Sequence, residues 1–429
     1  MLHAPQAVKT EYYDLLRTLV AQHAPGDKWA EFAVARYGAK FAVEEVTSLH
    51  NYKDLLAAVR RLTANRFRWS KLCFCTFRYC LLGDILFLLA FNNASQVKAV
   101  IDYIYPMIRT RHRKGVSRFI EALFNRADMK RDSFKSARYL IDCWRRNADF
   151  INLPEKRILV TATVSAGKST LINAIIGKNL TRTSQEICTG NLCYLHNKPF
   201  EDDAVYLRAS FNNGNVNDDE IKKIKRGSEV TCIASHVRAL VPPQSRVCII
   251  DTPGVNSALN PNHRKITREA LADENYDRLI YVLDATKLGT DDEFAHLQYI
   301  AQKVPKEKVV FVLNKLDGFK QGEDSIKESI ERVRDDLHKM GYENPVICPL
   351  SAYVALLIKR KLHNDGLTED EQDDYDLYVK KFSQPAYDLS RYYAEARREN
   401  LPTHNGADQN ALGSKCGLYG LENILFGGI

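Results

Sequence analysis

The chain has 429 residues, of which 45% are hydrophobic and 27% charged, and these proportions are typical of a soluble globular protein. They exclude a collagen-like, fibrous or disordered chain, and the length predicts two or three domains. The net charge of +8 is uneven: residues 1–150 contain 25 Lys and Arg against 14 Asp and Glu, while the remainder is slightly acidic. Such a basic region attracts phospholipid or nucleic acid, or simply forms a solvated helical surface.

The ten cysteines are scattered along the chain, without a CxxC pair and without a histidine pair at zinc-ligand spacing beside them. Several fall in or next to apolar, strand-like runs, where a thiol is a small core residue: Cys188, Cys193, Cys232, Cys248 and Cys348. Free thiols in this number, with no signal peptide, predict a reducing, cytoplasmic compartment.

Residues 1–150 are predicted to be helical throughout, because apolar residues recur at helical spacing in segments such as 15–20 and 55–62. The stretch 69–91 is strongly apolar, but its uninterrupted runs are too short to cross a bilayer as a helix. Three charged residues interrupt it: Lys71, Arg78 and Asp84. We therefore expect a buried hairpin of core helices there.

The densest basic cluster of the protein lies in the same region. It consists of Arg109, Arg111, His112, Arg113, Lys114 and Arg118. The first interpretation of this basic face is a solvated helical surface, and the alternative is a surface that attracts anionic lipid or, after it, nucleic acid.

After Pro154 the sequence alternates between short apolar runs and amphipathic stretches. The runs predicted as strands are 157–161, 246–250, 278–283, 308–313 and 345–349. The stretches predicted as helices include 264–274, 289–303 and 324–340. This alternation predicts a mostly parallel sheet covered by helices, in an α/β domain at 151–355. Residues 356–429 are predicted to form a polar, helical extension with a loop from Pro402 to Cys416.

The segment 162–169, ATVSAGKS, follows the first predicted strand and opens a predicted helix. A strand, a tight loop and a helix N-terminus present backbone N–H groups to phosphate oxygens. We expect Lys168 to reach the β- and γ-phosphates and the Ser169 hydroxyl to bind Mg²⁺. The other residues of this cradle are Ala162, Ala166, Gly167 and Thr170. Ala162 replaces the usual first glycine, so its backbone must take a conformation that alanine allows.

Asp251-Thr-Pro-Gly254 follows the predicted strand 246–250. A carboxylate at the end of this strand can hold Mg²⁺ through water, and the N–H of Gly254 can meet the γ-phosphate. That glycine is where a sensor of the triphosphate would pivot.

Asn314-Lys-Leu-Asp317 follows the strand 308–313. A carboxylate that accepts the N1 and N2 protons of guanine discriminates it from adenine, and Asp317 is expected to do so. Asn314 and Lys315 are expected to brace the base and the phosphate loop. The ligand predicted by the motifs together is therefore GTP or GDP.

Two further positions complete the candidate site. Ser351-Ala352 follows the last predicted strand, where a backbone N–H can bond to the guanine carbonyl. Thr189, 21 residues after Lys168, can close over Mg²⁺ and the γ-phosphate. Its rivals for that role are Thr181, Thr183 and Ser184.

Hydrolysis of GTP requires mainly positioning and charge neutralisation. A small signalling GTPase has a glutamine just after the DTPG motif to orient water, but this chain has Val255 there. No arginine that acts in cis is identifiable either. The isolated site is therefore predicted to be a slow hydrolase that another molecule completes.

The chain resembles the dynamin superfamily, and its bacterial members most. The resemblance covers about 150–429 and rests on SAGKSTLINAIIG (165–177), CTG (188–190), DTPGVNS (251–257), NKLD (314–317) and CGLYGLENIL (416–425). It implies a P-loop GTPase domain that hydrolyses GTP with Mg²⁺ and is stimulated when two such domains pair across their nucleotide faces. It also implies self-association and action at membranes, hence a cytoplasmic protein that is peripheral at a membrane.

By this resemblance Ser165 contacts the bridging oxygen of the nucleotide and a monovalent cation, K⁺ or Na⁺. Val164 replaces the family's glutamine, and Thr161 stands where an acidic residue helps to hold the cation. The family's helical stalk would begin where this chain stops, at Ile429. Either residues 1–150 replace the stalk, or the chain is truncated, or a stalk-bearing partner supplies it.

Two other functions fit the same motifs. The first is an Era-like regulatory GTPase that acts on RNA or the ribosome, since that class shares the DTPG, NKxD and SA motifs. The second is a scaffold that binds GTP with little turnover, suggested by Ala162, Val164 and Val255.

Overall fold

The computed structural model describes residues 4–43, 51–63, 74–90, 94–124, 137–180, 192–201, 205–209, 213–216, 230–253, 262–273, 275–320, 322–393 and 407–427. The chain divides into two compact units, Met1–Asn152 and Leu153–Ile429. Among the described residues, every element of the first unit is helical, and the second is an α/β unit. The predicted fold class, an α/β P-loop domain preceded by a helical region, is confirmed.

The helices of the first unit are α1 (Gln6–His23), α2 (Lys28–Phe41), α3 (Tyr52–Leu62), α4 (Phe74–Ala90), α5 (Ala94–Ile104), α6 (Thr110–Phe124) and α7 (Arg138–Ile151). Helix α4 lies at the centre and packs against α1, α2, α3, α5 and α7. The apolar faces read from the sequence are buried in this core, including Leu15 and Leu19 of α1 and Leu55 and Val59 of α3.

A single helix, α4, forms where a helical hairpin was predicted, so that prediction is wrong over 74–90. Two of the three charged residues that interrupt the apolar stretch, Arg78 and Asp84, have partners inside the unit. The guanidinium of Arg78 donates to the carbonyl of Thr63 at 3.0 Å, and the carboxylate of Asp84 accepts from the hydroxyl of Tyr12 at 2.6 Å. Residues 69–73 and 91 lie outside the described residues. No helix in the described part of the chain is long and apolar enough to cross a bilayer.

The described part of the second unit contains a sheet of nine strands. Its strands are β1 (Glu155–Ala162), β2 (Cys193–Asn197), β3 (Val205–Ala209), β4 (Asn213–Val216), β5 (Val230–Ser235), β6 (Arg246–Asp251), β7 (Arg278–Asp284), β8 (Val309–Asn314) and β9 (Val346–Pro349). They lie in the order β4-β3-β5-β2-β6-β1-β7-β8-β9. The five neighbouring strands β6, β1, β7, β8 and β9 are parallel to one another. Strand β2 is antiparallel to β6, and β3 is antiparallel to both β4 and β5.

The helices of this unit are α8 (Lys168–Ile176), α9 (Asn262–Ala272), α10 (Asp291–Lys303), α11 (Ile326–Lys339), α12 (Ala352–Leu362), α13 (Glu369–Phe382), α14 (Ala407–Lys415) and α15 (Leu418–Phe426). The predicted domain boundary at 355 falls inside α12. The loop predicted at 402–416 is wrong over 407–415, where α14 forms and packs against α12. The predicted polar character of the tail is wrong for α15, because Leu418, Leu421 and Leu425 are completely buried. Packing against the domain, which local sequence does not reveal, stabilises both helices.

Four of the five cysteines predicted as core residues lie in the described part of the chain. Cys193, Cys248 and Cys348 are buried, and Cys232 is partly buried in β5. Cys188 lies outside the described residues. Three of these thiols therefore serve as small apolar side chains in the core of the sheet.

Candidate functional site

The candidate site lies where five neighbouring parallel strands end at one edge of the sheet. Val160 of β1 lies opposite Asp251 of β6, and Asp284 of β7 lies opposite Asn314 of β8. Because the strands are in register and parallel, the residues at and after their carboxyl ends come together at this edge. The motifs predicted to bind phosphate, Mg²⁺ and guanine all follow these strands.

The phosphate loop connects β1 to α8. Ala162 is the last residue of β1 and pairs with Val282, so its extended backbone suits an alanine. Ser165 is exposed and has a φ of 68°, in the left-handed region that few residues other than glycine adopt. Gly167 has a φ of 88°, and a β-carbon there would collide with the amide of Asn314. The loop is thus held in a compact conformation that requires a glycine before Lys168.

Helix α8 begins at Lys168, so the backbone N–H groups of its first turn face the loop. The ammonium of Lys168 forms an ion pair with the carboxylate of Asp251, and both side chains are buried. Ser169 and Thr170 follow in the first turn and are partly buried. A hydroxyl at 169 and a carboxylate at 251 are the hard oxygen donors that Mg²⁺ prefers, so the residues present fit this ion.

Asn314 links the phosphate loop to the turn after β9. Its amide nitrogen donates to the carbonyl of Ala166 at 3.0 Å, and its amide oxygen accepts from the N–H of Ala352, also at 3.0 Å. The side chain is 2% exposed. A buried amide with both ends bonded fixes two segments relative to each other, which is the bracing predicted for this residue.

Asp317 lies beside Ser351, whose hydroxyl donates to its carboxylate at 2.5 Å. The same hydroxyl accepts from the N–H of Val354, so Ser351 also caps α12. The N–H of Ser351 donates to the carbonyl of Cys416, and that of Ala352 donates to Asn314. Both backbone donors therefore have acceptors within the chain, and the contact of this turn with a guanine carbonyl stays a prediction.

One residue of the site was missed in the sequence. Asp284, at the end of β7, accepts from the ammonium of Lys315 at 2.7 Å and from the hydroxyl of Thr286 at 2.6 Å. Burial alone would raise the pKa of Asp284, but these hydrogen bonds outweigh it and the pKa lies below its usual value. The signal was present, since Asp284 follows an apolar strand just as Asp251 does.

Several predicted positions fall in parts of the chain that the structure does not describe. They are Thr189, its rivals Thr181, Thr183 and Ser184, and also Gly254 and Val255. The hydroxyl of Thr161 is completely buried and lies 3.2 Å from the imidazole of His296. That contact directs Thr161 toward α10.

Comparison with known proteins assigns the family. Residues 158–316 match the model of the dynamin family, and this match includes β1, the phosphate loop and most of the NKLD motif. The segment 158–316 therefore belongs to the dynamin family, and the predicted resemblance to the dynamin superfamily is confirmed over that segment.

Two curated proteins are similar to this chain. A probable transmembrane GTPase of Arabidopsis thaliana, FZO-like and chloroplastic, is 28% identical over 203 residues, which are 47% of this chain and 20% of that protein. An uncharacterised protein from the xynA 3′ region of Caldicellulosiruptor sp. strain Rt8B.4 is 26% identical over 231 residues, which are 52% of this chain and 56% of that protein. The chain thus spans a fifth of one relative and about half of the other.

Two solved structures are similar to this chain. Both come from work on an oligomerised bacterial dynamin pair that is described as a mechanism for the long-range sensing and tethering of membranes. They cover 97% and 99% of this chain and 72% and 73% of theirs. Their sequence identities are 16% and 15%, and their TM-scores 0.35 and 0.36.

Proposed function

We propose that this chain binds GTP and GDP with Mg²⁺ and hydrolyses GTP. The observation that carries the proposal is the bridge made by Asn314, which joins the phosphate loop to the turn that orients Asp317. In this proposal Lys168 and the cradle bind the phosphates, Ser169 and Asp251 hold Mg²⁺, and the ion neutralises phosphate charge. The 28% identical Arabidopsis relative, a probable GTPase, supports the same activity.

Guanine specificity is assigned to Asp317. Its carboxylate accepts hydrogen bonds, and guanine presents two donors on one edge where adenine presents a different pattern. Ser351 orients this carboxylate, and the salt bridge to Asp284 fixes Lys315 beside it. A site whose carboxylate loses its hydrogen bonds to the base when the wrong base binds discriminates strongly.

The remaining catalytic assignments follow from membership of the family. Ser165 is assigned to the bridging oxygen and to a monovalent cation, and its exposed, left-handed conformation presents it at the tip of the loop. Thr189 and Gly254 are assigned to the γ-phosphate. Pairing of two domains across the nucleotide face would bring the tip of the loop, where Val164 is 51% exposed, against a second copy.

Turnover per molecule is therefore expected to rise with protein concentration. Phosphate release from GTP would be measured across a wide concentration range, with and without K⁺, together with the molecular mass in GDP and aluminium fluoride. Specific activity that increases until a dimer forms is the expected result. Specific activity that stays flat, with a monomer in every nucleotide state, would reject self-association while leaving GTP binding intact.

Membrane association is assigned to the helical unit. Arg111, Lys114 and Arg118 are exposed on one face of α6, at helical spacing, with Arg109 exposed just before it. The first turn of α6 contains no acidic residue to balance them. A row of exposed cations is complementary to an anionic lipid surface, and the Arabidopsis relative is named a transmembrane GTPase. RNA is the second anionic partner that such a row fits.

Replacing Arg111, Lys114 and Arg118 with glutamine is expected to abolish most binding to anionic vesicles, because each cation contributes about 1 kcal/mol to the binding free energy. Sedimentation with phosphatidylserine vesicles at two salt concentrations would measure it. The matched control changes Lys327, Arg334 and Lys339 of α11 to glutamine, which alters net charge equally and leaves the cations of α6 in place. Binding of the parent chain to single-stranded RNA but not to vesicles would favour the Era-like function. Equal losses of vesicle binding in the α6 variant and the α11 control would reject a role for α6.

A further inference from the structure

Helix α13, outside the segment that matches the dynamin family, contacts the loop that reads the base. Lys381 lies in its last turn and is partly buried. The ammonium of Lys381 donates to the carbonyl of Asp317 at 2.6 Å and to the carbonyl of Phe319 at 2.6 Å. It also lies 4.6 Å from the centre of the Tyr387 ring, a cation–π contact.

The turn that Lys381 contacts is strained and short. Lys315 enters it with a φ of 68°, and residues Leu316–Gly318 form one turn of 3₁₀ helix. A turn of this kind leaves carbonyls at its end without intrahelical partners. Lys381 supplies a charged donor to two of these carbonyls, and such bonds are stronger than neutral ones.

Helix α13 is itself firmly fixed. Its start has a capping box between Thr368 and Glu371. Arg360 of α12 pairs with Glu371 at 2.5 Å, and the hydroxyl of Tyr353 donates to Asp374 at 2.7 Å. Since α12 is capped by Ser351, which also orients the Asp317 carboxylate, both contacts on Asp317 come from one rigid pair of helices.

We propose that Lys381 is a positioning residue for guanine recognition, an inference that rests on the proposed function. It holds the backbone of Asp317 while Ser351 holds the carboxylate, so that the two acceptor oxygens face the base in one orientation. Without Lys381 the turn relaxes, and the carboxylate is aligned only part of the time. The hydrogen bonds of Lys381 go to the turn after β8, so the phosphate loop is expected to keep its own geometry.

The variant Lys381→Met keeps the length of the side chain and removes the donors. The affinity for GDP is expected to fall about 10-fold, as for the loss of a charge-assisted hydrogen bond. Because the affinity for ADP stays unchanged, the ratio of GDP to ADP affinity falls by the same factor. The value of kcat at saturating GTP is expected to stay near that of the parent chain. Lys381→Arg, which retains the donors, is expected to recover most of the GDP affinity.

The control is Lys380→Met, one residue earlier and exposed. Dissociation constants for GDP and ADP, with the thermal midpoint from circular dichroism, would be measured for every variant. Lys381→Leu, which also lacks a donor, replaces the methionine variant if that one does not fold. Equal losses for GDP and ADP, or an unchanged GDP affinity in a chain that prefers GDP, would overturn the role of Lys381. A parent chain that binds GDP and ADP equally would overturn the proposed function instead.

Discussion

Lys168→Ala is expected to lower the affinity of the chain for GTP and GDP by about 100-fold, because it removes a charged donor worth about 3 kcal/mol to a phosphate. The ammonium is buried at the edge of the sheet beside Asp251, where the low dielectric strengthens its interaction with an anion. Equilibrium binding of a fluorescent GDP analogue, with Mg²⁺, would measure the loss.

The same change leaves the buried carboxylate of Asp251 without its lysine, so stability must be followed separately. Lys168→Met, which keeps the apolar part of the side chain, and Lys320→Ala, an exposed lysine of the same unit, are the controls. Binding that survives Lys168→Met, in a chain with an unchanged thermal midpoint, would contradict the assignment of the phosphate site.

Glu422→Gln is expected to destabilise the α/β unit by about 3–5 kcal/mol, the usual cost of breaking a buried ion pair. Glu422 of α15 and Lys359 of α12 are both completely buried, with their charged atoms 2.5 Å apart. Lys359 also donates to the carbonyl of Ile175 in α8 at 2.7 Å, and Glu422 accepts from the N–H groups of Leu240 and Val241. The pair thus fastens the C-terminal helix to the end of the phosphate-loop helix.

Unfolding in urea would be followed by circular dichroism, with tryptophan fluorescence as an internal reference. All three tryptophans, Trp29, Trp69 and Trp144, belong to the helical unit, so their signal does not report the α/β unit directly. Glu331→Gln, which breaks an exposed pair with Lys327, is the matched control and should cost under about 1 kcal/mol. A double variant with Lys359→Met should lose less than the sum of the single changes. Similar effects for Glu422→Gln and Glu331→Gln would contradict the role of the buried pair.

Much of this architecture could be read from the sequence, because local signals agree with the fold. The strands β1 and β6 to β9 are apolar runs, and the motifs at their carboxyl ends fall where parallel strands place them. The strands β2 to β5 were not predicted, since they are short and less uniformly apolar. The hairpin predicted within 69–91 is a single helix over 74–90, in which Arg78 and Asp84 each have a partner distant in sequence.

In the candidate site, too, residues of local motifs were predicted and residues that act through distant contacts were not. Lys168, Asn314 and Asp317 belong to contiguous motifs whose chemistry depends on spacing. Lys381 lies 64 residues from the carbonyl of Asp317 that it contacts, and no local pattern indicates that pairing. Tertiary partners of this kind require coordinates, because their contacts join segments that are far apart in the chain.

Guanine-nucleotide binding at this edge of the sheet underlies the roles proposed for Lys168, Asp317 and Lys381. It would be measured by displacing a fluorescent GDP analogue from the intact chain, with Mg²⁺, by unlabelled GDP and by ADP. The site described here predicts that GDP binds at least about 100-fold more tightly than ADP, since adenine cannot satisfy Asp317. Equal displacement by the two nucleotides, or none by either, would contradict it.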